Sequence, residues 1–245
     1  MIFTGIVTLV AVAAGAVAAL AGFGIGGLLT PLIAVQAGTK LAVAGVAIPH
    51  AVGTALRLWM LRTHVDRRVL LGFGLTSAAG GLTGALLHAW LQNVALRLVF
   101  AVLLIFAGLT GLTGWSQRFR FGRRVAWGAG ALSGLLGGLV GNQGGIRSAA
   151  LLGFDIPRDA FVATATAIAL IVDAARMPVY LATEFAGIAQ MWPVLTAATV
   201  GVLIGTFFGR RLLERVPERI FRRIVAAIIL ILGIYMLVQG NFAHD

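Results

Sequence analysis

The sequence has no cysteine, a single lysine, two tyrosines and only eight acidic residues in 245. Without cysteine there is no disulfide, no thiolate metal site and no cysteine nucleophile. The acids are too few for paired-carboxylate catalysis, and none occurs before Asp66. H-E-x-x-H, G-x-S-x-G and Walker sequences are missing as well, so an enzyme is not expected, and no metal or cofactor is implied. Charge is scarce overall: 11% of residues are charged and 60% hydrophobic, with mean hydropathy +0.99. A soluble domain of this size could not hide that much apolar surface.

What fills the chain instead is a series of apolar runs. They cover Ile2–Ala21, Leu41–Leu61, Val69–Leu91, Leu98–Trp115, Val125–Val140, Phe161–Leu181, Met191–Phe208 and Ile224–Val238. Most approach the ~20 residues that cross a ~30 Å hydrocarbon core. The pattern predicts an all-α polytopic membrane protein with the lipid bilayer as its solvent. The first run lacks a basic n-region and a small-residue cleavage site, so it is read as mature structure. The formal charge of +11 comes from arginines lying between apolar runs, as in cytoplasmic loops. Nucleic acid is therefore not an expected partner.

Residues 21–31 read AGFGIGGLLTP, placing Gly22, Gly24 and Gly27 on the G-x-G-x-x-G spacing of dinucleotide sites. That motif needs a preceding strand and an acid about 20 residues downstream. Here it follows an apolar run and no acid is near, so the match is accidental. A related stretch, GLVGNQGGIRSAALLG, recurs at 138–153, aligning Gly26-Gly27 with Gly144-Gly145 at an offset of 118. Val43, Ala44, Ala55 and Arg57 then match Val162, Ala163, Ala174 and Arg176 at offset 119. GGLTG (80–84) meets GVLIG (201–205), and Arg97, Ala101 and Gly108 meet Arg222, Ala226 and Gly233. The ordered series predicts two homologous repeats, 1–117 and 118–245, in one membrane domain.

Charge tests the topology. If each glycine motif is the tip of a hairpin returning to its own face, fourteen basic residues share one face and only Lys40 and Arg97 the other. With eight simple crossings the split is seven against nine, which orients nothing. The positive-inside rule selects hairpins, with the basic face cytoplasmic and both termini outside. Each repeat then has three crossings, an odd number, so the repeats are inverted, a common plan of secondary transporters. Glycine permits the sharp reversal. The short arms would aim helix N-termini inward, a ready anion site.

These tips supply the candidate substrate contacts: Gly24, Gly26 and Gly27 in the first, Asn142, Gln143, Gly144, Gly145 and Arg147 in the second. Arg147 beside a helix N-terminus is unfavourable unless an anion joins them; the alternative is a pairing with Asp155 or Asp159. Arg57 and Arg176 are candidate pathway cations, or else snorkel to the headgroups. Asp173 lies one turn before Arg176, as an ion-pair partner or a proton-coupling carboxylate. His50 is either a hydrogen-bonded core histidine or a proton relay, so protons are a candidate coupling partner. Thr164 and Thr166 line a polar cavity or back-bond to their own helix. Gly130-x-x-x-Gly134 and Gly201-x-x-x-Gly205-x-x-x-Gly209 read as close helix packing.

With both motifs in view, GFGIGGLLTPLIAV and GLVGNQGGIRSAALLG, each followed by a small-residue helix (VAGVAIPHAVGTALRL and FVATATAIALIVDAAR), the chain resembles the sulfite exporter TauE/SafE family over essentially its full length. Asn142-Gln143 and Pro49-His50 depart from the usual pattern. The resemblance implies export of sulfite, a sulfonate or another small organic anion across the bacterial inner membrane. A passive anion channel is the rival reading. Oligomeric state is not legible.

Overall fold

The computed structural model describes residues 2–114, 123–141, 144–151, 154, 156–213 and 218–239. Among these the secondary structure is helical: α1 (Ile2–Ala21), α2 (Ile25–Ala37), α3 (Thr39–Leu61), α4 (Arg67–Trp90), α5 (Asn93–Thr113), α6 (Arg123–Val140), α7 (Gly144–Leu151), α8 (Arg158–Gln190), α9 (Trp192–Leu213) and α10 (Glu218–Gln239), with a 3-10 turn at Arg62–His64. Six helices, α1, α3, α4, α5, α8 and α9, are long and apolar enough to cross a membrane. The short helices α2 and α7 are the arms that follow the glycine motifs.

Leu9, Leu71, Leu75 and Ile231 are more than 60% exposed, which water would penalise and hydrocarbon does not. Burial between lipid-facing helices therefore depends on close backbone approach. Glycine provides it. On α9, Gly201, Gly205 and Gly209 meet Thr8, Val12 and Ala16 of α1 in that order, so the two helices run in the same direction. On α4, Gly80 and Gly84 meet Ala131 and Leu135 of α6, again in the same direction. Gly134 and Gly138 return the contact onto Ser77 and Gly81, and Ser77 Oγ donates to the Gly130 carbonyl at 3.0 Å. Both small-residue runs are helix-packing seams, as their spacing predicts. A β-carbon at Gly80 or Gly205 would collide with backbone, which no rotamer change relieves.

Helix α3 lies alongside α9 in the same direction, Gly45 against Leu195 and Gly53 against Val202. It crosses α8 in the opposite sense, with Leu41 near Gly187, His50 near Asp173 and Arg57 near Thr166. Helices α5 and α10 pair antiparallel through Gly108–Leu230 and Gly111–Ala226. Exposed Trp59 and Trp127 mark one end of the bundle, and exposed Trp90 and Trp192 the other, the arrangement of two interfacial aromatic belts.

Candidate functional site

Helix α1 stops because the backbone turns left-handed, at Gly22 (φ 79°) and again at Gly24 (φ 132°). Helix α6 stops at Gly141 (φ 73°). Only glycine takes these values without strain. The two breaks touch. A β-carbon on Gly26 would stand 2.5 Å from the Gly141 carbonyl oxygen, and one on Gly144 would collide with Phe23. At the sequence offset of 118, Gly26 corresponds to Gly144 and Phe23 to Gly141, so these two contacts are reciprocal.

A helix that ends inside a membrane leaves carbonyls without partners, each costing several kcal/mol or so in hydrocarbon. Two arginines bond to carbonyls at these ends in the same way, although the Ala18 and Gly137 oxygens also accept from the Gly22 and Gly141 amides of their own helices. Arg57 donates through Nη1 to the Ala18 carbonyl at 2.6 Å, and Arg176 through Nη1 to that of Gly137 at 2.6 Å, each bond spanning 39 residues. Arg57 also donates to the Gly22 carbonyl (3.4 Å) and through Nε to Thr166 Oγ1 (2.9 Å). Both side chains are enclosed, at 3% and 1% exposure. Snorkelling is thus excluded: the guanidiniums turn inward because broken helix ends offer them acceptors. At α6 the capping is extended, since Tyr180 donates to the Gly138 carbonyl and His88 Nδ1 to that of Leu139 at 2.8 Å.

Asp173 holds the centre. Its Oδ1 accepts from Arg176 Nη2 (2.7 Å) and Nε (3.0 Å), while Oδ2 faces His50 Nδ1 at 2.7 Å. The ion pair with Arg176 expected from the spacing is present, and His50 joins it from α3. Arg147, fourth residue of α7, is 2% exposed, and its Nε and Nη1 have no hydrogen-bond partner. It lies within electrostatic reach of Asp173, Arg57 and Arg176. Asp159 is exposed and does not pair with it; Asp155 lies outside the described residues.

Other expectations divide. Thr166 back-bonds to the Val162 carbonyl at 2.7 Å while accepting from Arg57. The Thr164 hydroxyl accepts from the Asp66 amide at 2.9 Å, fixing the turn before α4. Gly24 and Gly26 are at the break, and no side chain caps the first turn of α2. Gly27 instead faces Ile229 and Leu104, because one residue along a helix rotates the contact by about 100°. Gly144 and Gly145 open α7. Asn142 and Gln143 lie outside the described residues. A cavity of about 260 Å³ sits at the other end of α2, lined by Pro31, Thr39, Asn93, Arg97 and Met236 among others, away from these groups.

Sequence reasoning missed Tyr180 and His88. Tyr180 follows Asp173 and Arg176 at i+7 and i+4, the same helical face, and His88 is an ionisable residue inside an apolar run, itself a signal.

The enclosed charges among the described residues are Arg57, Arg147, Arg176 and Asp173. Three cations against one carboxylate is an arrangement that lipid disfavours and an anion would relieve. No curated protein and no solved structure matches the chain. The family model for the sulfite exporter TauE/SafE proteins matches residues 7–236, nearly the whole length, and the chain belongs to that family.

Proposed function

We propose that the protein is a secondary transporter that exports a small sulfur-containing anion, sulfite or a sulfonate, across the bacterial inner membrane by alternating access. The observation that carries this is the enclosed surplus of positive charge where the two broken helices meet, with Arg147 Nε and Nη1 unpartnered. An anion there would be held by Arg147 and by the uncapped amides at the start of α2.

Inverted repeats are part of the same reading, and packing directions support them. Helices α1 and α3 both follow α9 in one direction, so the chain between them doubles back through α2 as a re-entrant hairpin. In the second repeat α6 follows α4, and α4 follows α8 through Gly74–Ile168 and Gly81–Val172, giving α7 the same role. Counterparts α5 and α10 run oppositely, as inversion requires. The basic ends are then cytoplasmic and both termini outside. Rocking of one repeat against the other would expose the centre to each side in turn. Arg147 and Arg176 are enclosed from both sides, the condition of an occluded transporter, whereas an open pore would wet them.

Tracer flux in proteoliposomes tests this. Saturable flux of sulfite or a sulfonate, with counterflow driven by unlabelled anion on the far side, is the expected result. Unsaturable conductance without counterflow would support a channel and overturn the proposal.

A further inference from the structure

The two oxygens of Asp173 are divided between the repeats. Oδ1 is held by Arg176 on α8 at 2.7 and 3.0 Å, and Oδ2 by His50 Nδ1 on α3 at 2.7 Å. An ionised carboxylate only accepts, so Nδ1 carries the hydrogen and Nε2 is left with a bare lone pair in the neutral ring. Nε2 has no hydrogen-bond partner among the described residues, and the His50 side chain is 9% exposed against 1% for Asp173. Of the pair, His50 is therefore the group a proton can reach.

The charged groups facing His50 are Asp173 and Arg176 on α8, and Arg57 on its own helix. Arg147 on α7 faces the same carboxylate. Among the described residues, α2 and the side chains of α9 packed on α3 bring no charge, and Arg97 of α5 lines the cavity at the far end of α2.

We infer that proton and anion occupy this site together: a proton on His50 Nε2 makes the imidazolium the partner of Asp173 and frees Arg176 to share the anion with Arg147. The inference rests on the transporter reading above. With neutral His50 the three arginines and Asp173 sum to +2; with the imidazolium they sum to +3. The added charge draws the anion, and by reciprocity the anion draws the proton. No bond other than N–H forms or breaks. The proton enters at Nε2, Nδ1–H stays on Oδ2, and the proton leaves from Nε2 when the anion departs. Proton and anion therefore move in the same direction. Competition between them, as in exchange, would require the proton to remove positive charge, and it cannot.

The test uses wild-type protein in liposomes loaded with a pH-sensitive dye and given a gradient of methanesulfonate, which does not itself titrate in this range. Expected is a luminal pH change of the sign that protons moving with the sulfonate produce. The half-saturating sulfonate concentration should fall about tenfold as pH is lowered from 8 to 5.5. In His50→Gln, protons moved per sulfonate should drop towards zero, whatever flux remains. Wild-type sulfonate counterflow with no pH change, or one of opposite sign, overturns the inference and leaves the transporter standing. Absence of counterflow for sulfite and sulfonate alike overturns both. Because the wild-type result decides alone, misfolding of the variant would not protect the inference.

Discussion

The carbonyl oxygen of Gly141 lies 2.5 Å from the point where a β-carbon on Gly26 would stand. That single approach brings the start of α2 against the end of α6, and its reciprocal brings Phe23 against Gly144. Reciprocal contacts of this kind are what the proposed inverted-repeat arrangement requires. Here they join two parts of one chain.

Gly26→Ala should accordingly be costly, because the obstructing atom is backbone and must move. A loss of about 1–3 kcal/mol is expected, read as a lower melting temperature in detergent. Gly128→Ala is the control: nothing lies within 4 Å of its added carbon, and it should leave melting unchanged or slightly higher. Equal behaviour of the two would contradict the close contact.

Arg147 offers the opposite sign. A buried cation with two unpartnered N–H groups is a burden on the empty protein, so Arg147→Gln should raise the melting temperature measured without anion. The same variant should lose the upward shift that sulfite gives to wild type. A fall in melting temperature without anion would mean that Arg147 has a structural partner.

Arg176 and Arg57 cap equivalent carbonyls, but only Arg176 also holds Asp173. Arg176→Gln strands a buried carboxylate and should cost about 3–5 kcal/mol. Arg57→Gln should cost less. Asp173→Asn added to Arg176→Gln should restore part of the loss, since no carboxylate is then left without its arginine. Thermal melting of the two single variants and the double variant checks the ranking.

Topology can be read by chemistry, because the sequence has no cysteine to interfere. Lys40→Cys should react with an impermeant thiol reagent from outside the cell, and Arg67→Cys, at an exposed position, only after the membrane is opened. The reverse pattern would invert the assignment.

Much of this was legible in the sequence, for physical reasons. Lipid forces apolar runs of nearly fixed length, so the long helices announce themselves, and glycine at i, i+4 marks seams between α1 and α9 and between α4 and α6. The recurrence at offsets 118–119 also located the two breaks. What a sequence does not show is which carbonyl a buried cation answers. Arg57 near the end of α3 reads as a snorkelling residue until α1 is seen to stop beside it. The His50–Asp173 contact spans 123 residues, and no local pattern encodes it. The Thr164 partner is hidden for a similar reason: the Asp66 amide is 98 residues away in sequence. Gly27 adjoins Gly26 in sequence yet faces α5 and α10, since the helix turns the neighbour away.

The most direct measurement is equilibrium binding of radiolabelled sulfite to purified protein, comparing wild type with Arg147→Gln. Saturable binding to wild type, weakened at least about tenfold in the variant, equivalent to some 1.4 kcal/mol, is what an anion seated between the two helix breaks predicts. Identical binding by both proteins would contradict it.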